Sequence, residues 1–291
     1  MMKTKPRTIF IAAALVTVLL LAGCGTGGKQ TAADHGGQAE PTTGGGHAGH
    51  DSHASGGSSE SSAALQAEWK LSKEKPAAGE TAQVTVQIRD ADGKPVEKFD
   101  VNHEKLMHLI VVSKDLSHFA HLHPDYRQNG LFQADVPFPT DGEYKLIADF
   151  IPAGGTARTE THWVAAGSGA GSPSALQPDA SLVKTVDGKE VALTFDKLKA
   201  GQETTMTFTI KDAQSKAPIT NLQPYLGAVG HVVVISGDAE QYLHNHPLDE
   251  SAKGPNAAFA TTFPKAGLYK IWGQFQHEGR VFTVPFTINV P

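Results

Sequence analysis

Apolar and polar residues alternate over Ala82-Gln-Val-Thr-Val-Gln-Ile88 and again over Thr205-Met-Thr-Phe-Thr-Ile-Lys211. Side chains of an extended chain point to opposite faces in turn, so each stretch predicts a half-buried strand. Asp90-Ala-Asp-Gly93 and Asp212-Ala-Gln-Ser215 then supply turn residues. Short apolar runs follow, Leu109 to Val112 and Val232 to Ile235, and after them Gly142-Glu-Tyr-Lys-Leu-Ile-Ala-Asp-Phe150 and Gly267-Leu-Tyr-Lys-Ile-Trp-Gly-Gln-Phe275. Beyond residue 22 no long stretch keeps a helical period. Short strands between turns predict an all-β fold of two tandem immunoglobulin-like antiparallel β-sandwiches. Tyr144 and Tyr269 then fall at the corner where a Tyr of such folds bonds back to the main chain.

The two halves are one pattern written twice. His108 and His231, His121 and His244, and His123 and His246 are each 123 positions apart. Further on, Phe138-Pro139, Gly142, Tyr144-Lys145 and Phe150 recur 125 positions later as Phe263-Pro264, Gly267, Tyr269-Lys270 and Phe275. The first sandwich is expected over residues 65–167 and the second over 176–291, joined by a Gly/Ser linker at 168–175.

The N-terminus changes the picture from a plain repeat protein to an exported one. A basic segment, Met1 to Arg7, precedes an apolar run, Thr8 to Ala22, and Leu21-Ala22-Gly23-Cys24 matches a lipoprotein signal-peptidase box. The run falls short of the roughly 20 apolar residues that span a bilayer. Residues 1–23 therefore read as a lipoprotein signal peptide, with Cys24 as the lipidated residue and the protein tethered outside the cytoplasm at the cell membrane. Cys24 is also the one Cys of the chain, which excludes an internal disulfide and thiolate metal sites. Residues 24–64 lack large apolar side chains and read as a disordered tether carrying His35, His47, His50 and His53, a His-rich tract of the kind that chelates metal weakly. The net charge is −5 and no Lys/Arg cluster follows residue 7, so nucleic acid is not an expected partner.

Each copy carries a His at the head of an apolar strand and a His-x-His-Pro after it. In an extended segment Phe119, His121 and His123 share one face, and the opposite face, Leu122 in one copy and Asn245 in the other, reads as the less constrained. A His-x-His pair with His108 or His231 from the neighbouring strand can present several imidazole nitrogens to one ion. Asp115 and Asp238, after the apolar strands, are expected to cap a tight turn rather than to bind metal. The first copy adds His103, Met107, His118 and Asp149 as further candidate ligands, where the second has Leu226, Gly230, Gln241 and Gln274. The expectation is therefore one site at His108, His121 and His123 and a separate, weaker or vestigial one at His231, His244 and His246. An imidazole-rich, thiol-free set suits Cu(II) first and Zn(II) next. His162 and His277 do not align with each other and read as incidental.

The block from His103 to Pro124 resembles the YtkA-like family of exported bacterial β-sandwich proteins, and the resemblance extends through Phe150. That resemblance implies copper or heavy-metal handling. The expected function is thus a non-enzymatic, membrane-anchored metal-binding protein that buffers, sequesters or delivers copper, with a metal transporter or a cuproenzyme as partner. The alternative is a structural or protein-interaction lipoprotein whose His are structural. A hydrolase is disfavoured, because neither Gly-x-Ser-x-Gly nor His-Glu-x-x-His occurs.

Overall fold

The computed structural model describes residues 64–168 and 175–291. The signal segment, Cys24, and the tether with His47, His50 and His53 lie outside the described residues.

The first copy runs β1 (Gln66–Leu71), β2 (Glu80–Arg89), β3 (Phe99–Asp100), β4 (Met107–Ser113), β5 (Phe119–Leu122), β6 (Asp125–Tyr126), β7 (Leu131–Phe138), β8 (Gly142–Pro152) and β9 (Arg158–Ala166). The second runs β10 (Val183–Val186), β11 (Lys189–Phe195), β12 (Glu203–Asp212), β13 (His231–Ser236), β14 (Tyr242–His244), β15 (His246–Pro247), β16 (Asn256–Thr262), β17 (Gly267–His277) and β18 (Arg280–Val290). Each copy is an immunoglobulin-like sandwich of two antiparallel sheets. The first pairs β1-β2-β7-β6 with β3-β8-β4-β5, β9 adding to β8; the second pairs β10-β11-β12-β16-β15 with β14-β13-β17-β18.

The alternating strands behave as their pattern requires. Ala82, Val84, Val86 and Ile88 of β2 point into the first core, and Met206, Phe208 and Ile210 of β12 into the second. At each corner the phenol of Tyr144 or Tyr269 donates to the main chain, to Thr140 O or Lys265 O at 2.9 Å. Replacing either Tyr by Phe is expected to cost about 1 kcal/mol, the usual net worth of one such bond, measurable as a lowered urea midpoint.

Strands β4 and β13 are buried on both faces. Met107, Leu109 and Val111 face the first sandwich's own core, while Ile110 and Val112 enter a third cluster with Ile147, Val233, Ile235 and Trp272. This third cluster holds the two copies together, sheet against sheet. Its contacts are reciprocal between aligned positions. Phe119 stacks on Trp272 with ring centres 4.6 Å apart, and His121 meets Gln274 at 2.7 Å. In return Tyr242, the counterpart of Phe119, donates to Asp149, the counterpart of Gln274, at 2.9 Å. A Cβ on Gly227 would lie 3.4 Å from Cγ of its own counterpart, Glu104. Exchange of equivalent contacts is the signature of a two-fold interface, here a pseudo-two-fold one within a single chain.

Candidate metal centre

The histidines that head β4 and β13 occupy the apolar strands' interface face. His108 stands on the face of Ile110 and Val112, His231 on that of Val233 and Ile235, and both are nearly solvent-free. Their rings stack on each other, 5.4 Å apart and 12° from parallel, so they flank the pseudo-dyad.

His121 reaches the same place because β5 pairs with β4 in the register Ile110↔His121. Phe119 and His121 therefore face the second copy, as the alternation requires. The opposite face is not the less constrained one. Ala120 and Leu122 pack on the first core, and Asn245 is buried with its amide donating to Val232 O and Leu243 O. After β5 the chain leaves one sheet for the other, β6 joining β7. His123 sits at that crossing.

His108, His121 and His123 bring one nitrogen each to within 4.8 Å of one another, close enough to hold one ion. Their ring centres lie 5.1, 5.2 and 4.8 Å apart. Imidazoles that share a tetrahedral ion at nitrogen distances of about 2.0–2.1 Å have ring centres about 5 Å apart. His231 lies 4.8 Å from His121 and 5.4 Å from His108, and His103 lies 5.4 Å from His231 and 5.6 Å from His246. The two expected sites are therefore not separate. The side chain of His244 lies outside the described part; its backbone stands opposite Val233, as that of His121 stands opposite Ile110.

The hydrogen bonds around the rings decide where the lone pairs point. Nε2 of His108 lies 2.9 Å from Asn102 O, which only accepts, so Nε2 carries the proton and Nδ1 the lone pair. Nδ1 of His121 lies 2.7 Å from Gln274 Oε1 and is the donor there, which leaves the lone pair on Nε2. His108 Nδ1 and His121 Nε2 face each other at 2.9 Å. Two lone pairs at that distance repel unless a cation stands between them. Burial opposes a proton: it holds His121 down at about 3, with His108 adding to the shift, and His123 at about 4, again with His108. Nε2 of His123 is shielded from solvent and meets no hydrogen-bond partner among the described residues. Acceptors of this kind on imidazole N–H groups are the usual outer shell of metal-bound His.

The additional candidates divide. Met107, against expectation, points into the first core and is 1% exposed. His118 also differs from expectation, since alternation turns it to the face of Ala120 and Leu122, where it meets the Tyr144 ring edge-on. Asp149 does reach the cluster, paired with His108 across β8 and β4 and close enough to His121 to favour its protonated form. His162 stacks on Trp69 and His277 meets Asn221, both away from the cluster. Asp115 and Asp238 hold their turns: Asp115 accepts from Ser117 N at 3.1 Å, and Asp238 from Glu240 N at 3.0 Å and from the Ser236 hydroxyl.

Gln274 was not among the candidates. Its only signal in the sequence is that it stands where the first copy has Asp149, both oxygen acceptors. A groove of about 440 Å³, with Ser117 and Phe119 on one wall and Lys270 and Thr283 on the other, opens onto His121 and gives solvent a way in.

A model of a domain of unknown function, DUF8832, matches residues 62–168 and again 184–291. Among curated proteins none matches the chain. Solved structures with a similar course include three N-terminal domains of the bacteriophage RB49 Highly Immunogenic Outer Capsid protein, at 12% identity and a TM-score of 0.23 over 78% of this chain and 59% of that one. The Yersinia pseudotuberculosis adhesin InvE is 14% identical with a TM-score of 0.24, over 76% of this chain and 59% of that one. A two-domain fibronectin type III segment of chicken tenascin is 10% identical with a TM-score of 0.23, over 77% and 98%. The chain thus spans about three fifths of the first two, and likeness of this size carries no functional meaning.

Proposed function

We propose, for a chain that belongs to the DUF8832 family and carries its domain twice, that it is a non-enzymatic metal-binding protein, with a first ion at His108, His121 and His123. The observation that carries this reading is the pair of lone pairs turned toward each other, with the third imidazole beside them. Imidazole-only ligation suits Cu(II) and then Zn(II), and the removal of Met107 from the set takes away the one soft ligand that favoured Cu(I). With the signal segment and Cys24 read as a lipid anchor, the protein would buffer, sequester or hand on copper at the outer face of the cell membrane, to a transporter or a cuproenzyme.

The test uses the full chain with His35, His47, His50 and His53 replaced by Ala, so that the tether adds no sites. Titrated with Cu(II) and Zn(II), it is expected to bind tighter than about 1 μM and to lose an equivalent in His121→Ala/His123→Ala. Weaker binding, or unchanged stoichiometry in the double variant, returns these His to a structural role in an interaction lipoprotein.

A further inference from the structure

The first three imidazoles do not use up the cluster. A tetrahedral ion takes four ligands, and beyond the first three imidazoles the ring of His103 lies beside those of both His231 and His246.

His103 arrives there by a costly route. Asn102 and Lys105 exchange both backbone hydrogen bonds, at 2.8 and 3.0 Å, around His103 at φ 45° and Glu104 at φ 64°. Two central residues at positive φ define a type I′ turn, which ordinarily asks for Asn-Gly. The second copy makes the same turn at Tyr225–Ala228 and meets that demand with Gly227 beside Leu226. The first copy instead holds two non-Gly residues in the left-handed region, which L side chains disfavour. What that strain accomplishes is visible in the product. The turn's Asn102 carbonyl fixes the tautomer of His108, and the turn's tip carries His103 across the pseudo-dyad to the imidazoles of the second copy. Leu226, at the matching tip, is 6% exposed and carries no ligating atom.

Resting on the reading above, we infer that the chain holds a second divalent transition-metal ion, Cu(II) or Zn(II), on His103, His231 and His246, beside the first. His103 is then a ligand of the second copy's ion, supplied in trans. The ring separations of 5.4 and 5.6 Å from His103 to the other two are those of imidazoles around a common ion, opened slightly. His246 is exposed, which leaves this position open to solvent on one side. His231, in ring contact with His108 and His121 as well, joins the two positions.

The experiment compares the tether-substituted full chain with its His103→Leu and His246→Ala variants, by metal analysis after Cu(II) or Zn(II) loading. His103→Leu copies the residue that the second copy already carries in the same turn, and His246 is exposed, so neither substitution threatens the fold. Two equivalents in the parent, falling to one in each variant, is the expected result. The Cu(II)-loaded parent should show an electron paramagnetic resonance signal broadened by coupling of two neighbouring ions, and each variant the sharp signal of an isolated Cu(II). One equivalent in the parent, unchanged in both variants, overturns the second position and leaves the first standing. Loss of all metal in His103→Leu also overturns it, by assigning His103 to the first ion. A parent that binds no metal overturns both readings.

Discussion

Replacing Trp272 by Ala is expected to destabilise the protein by about 3–5 kcal/mol, the range for deleting a large aromatic from a core. Trp272 is 4% exposed, although it belongs to neither sandwich core. It lies flat on Phe119 of the other copy and fills the third apolar cluster beside Ile147 and Ile235. Its loss opens a cavity between two sheets that bear the His cluster. Guanidinium unfolding checks the magnitude, and Cu(II) affinity should fall alongside it, since Gln274 and His231 are held by the same interface. Trp163→Ala is the control. That ring is 37% exposed and lies under the amines of Lys114 and Lys145, at 5.9 and 5.4 Å, contacts worth about 0.5–1 kcal/mol when exposed and about 2 when the amine is buried, as that of Lys145 is. Equal losses in the two variants would mean that the copies do not share a core.

Acid is expected to unfold the metal-free protein early, before its carboxylates titrate. The folded His121 and His123 are held at about 3 and about 4, chiefly by burial, whereas an unfolded imidazole titrates near 6.5. Between those values the unfolded chain binds more protons, so stability rises with pH. It is complete above about 6.5 and is lost as the pH falls toward 4. The slope approaches about 1.4 kcal/mol per pH unit for His121 and is less for His123, which lies nearer the surface. His118 and His162, also lowered by burial, add in the same direction. Asp238, held low by the Ser236 hydroxyl and the Glu240 amide, acts only below its ordinary value of 3.8, and Glu68 and Glu80, held low by lysines, only below 4.5; Glu160, raised by burial, opposes the imidazoles above 4.5. Urea midpoints at pH 7 and pH 4.5 should differ clearly in the parent and by less in His121→Leu. Equal differences in both would show that His121 is not kept neutral in the folded state. Bound metal should steepen the loss, because protons compete for the same nitrogens.

Much of the architecture was legible in the residues, and where it was not the reason is physical. The period-two stretches at β2 and β12, the Asp-led turns and the Tyr corners depend on neighbours in sequence or on a single face, so local chemistry reveals them. The meeting of the two copies depends on which faces of β4 and β13 are covered, and by what. An apolar run such as Leu109 to Val112 does not alternate, which marks a strand buried on both sides. It does not say that the second side is another copy. For the same reason strand pairing groups His108, His121 and His123 from the sequence, while nothing in the sequence links His103 to the second copy or Gln274 to His121. Both act across the pseudo-dyad, where spacing along the chain carries no information. Met107 and His118 illustrate the converse. Each lies within three residues of a cluster member and faces the other way, because one step along a strand reverses the side chain.

The reciprocal contacts between the copies have a consequence for how the protein can vary. A homodimer of one such domain would bury the same sheet through an isologous interface, and every substitution in it would appear twice, once on each side of the axis. Joining the two domains in one chain keeps them at high effective concentration and removes that constraint. Asp149 can then face Tyr242 while its equivalent, Gln274, faces His121; one turn can carry an imidazole and the other a leucine. A pair of chemically distinct positions on an axis of symmetry is closed to a symmetric dimer, and it is open to this chain because both halves are encoded separately.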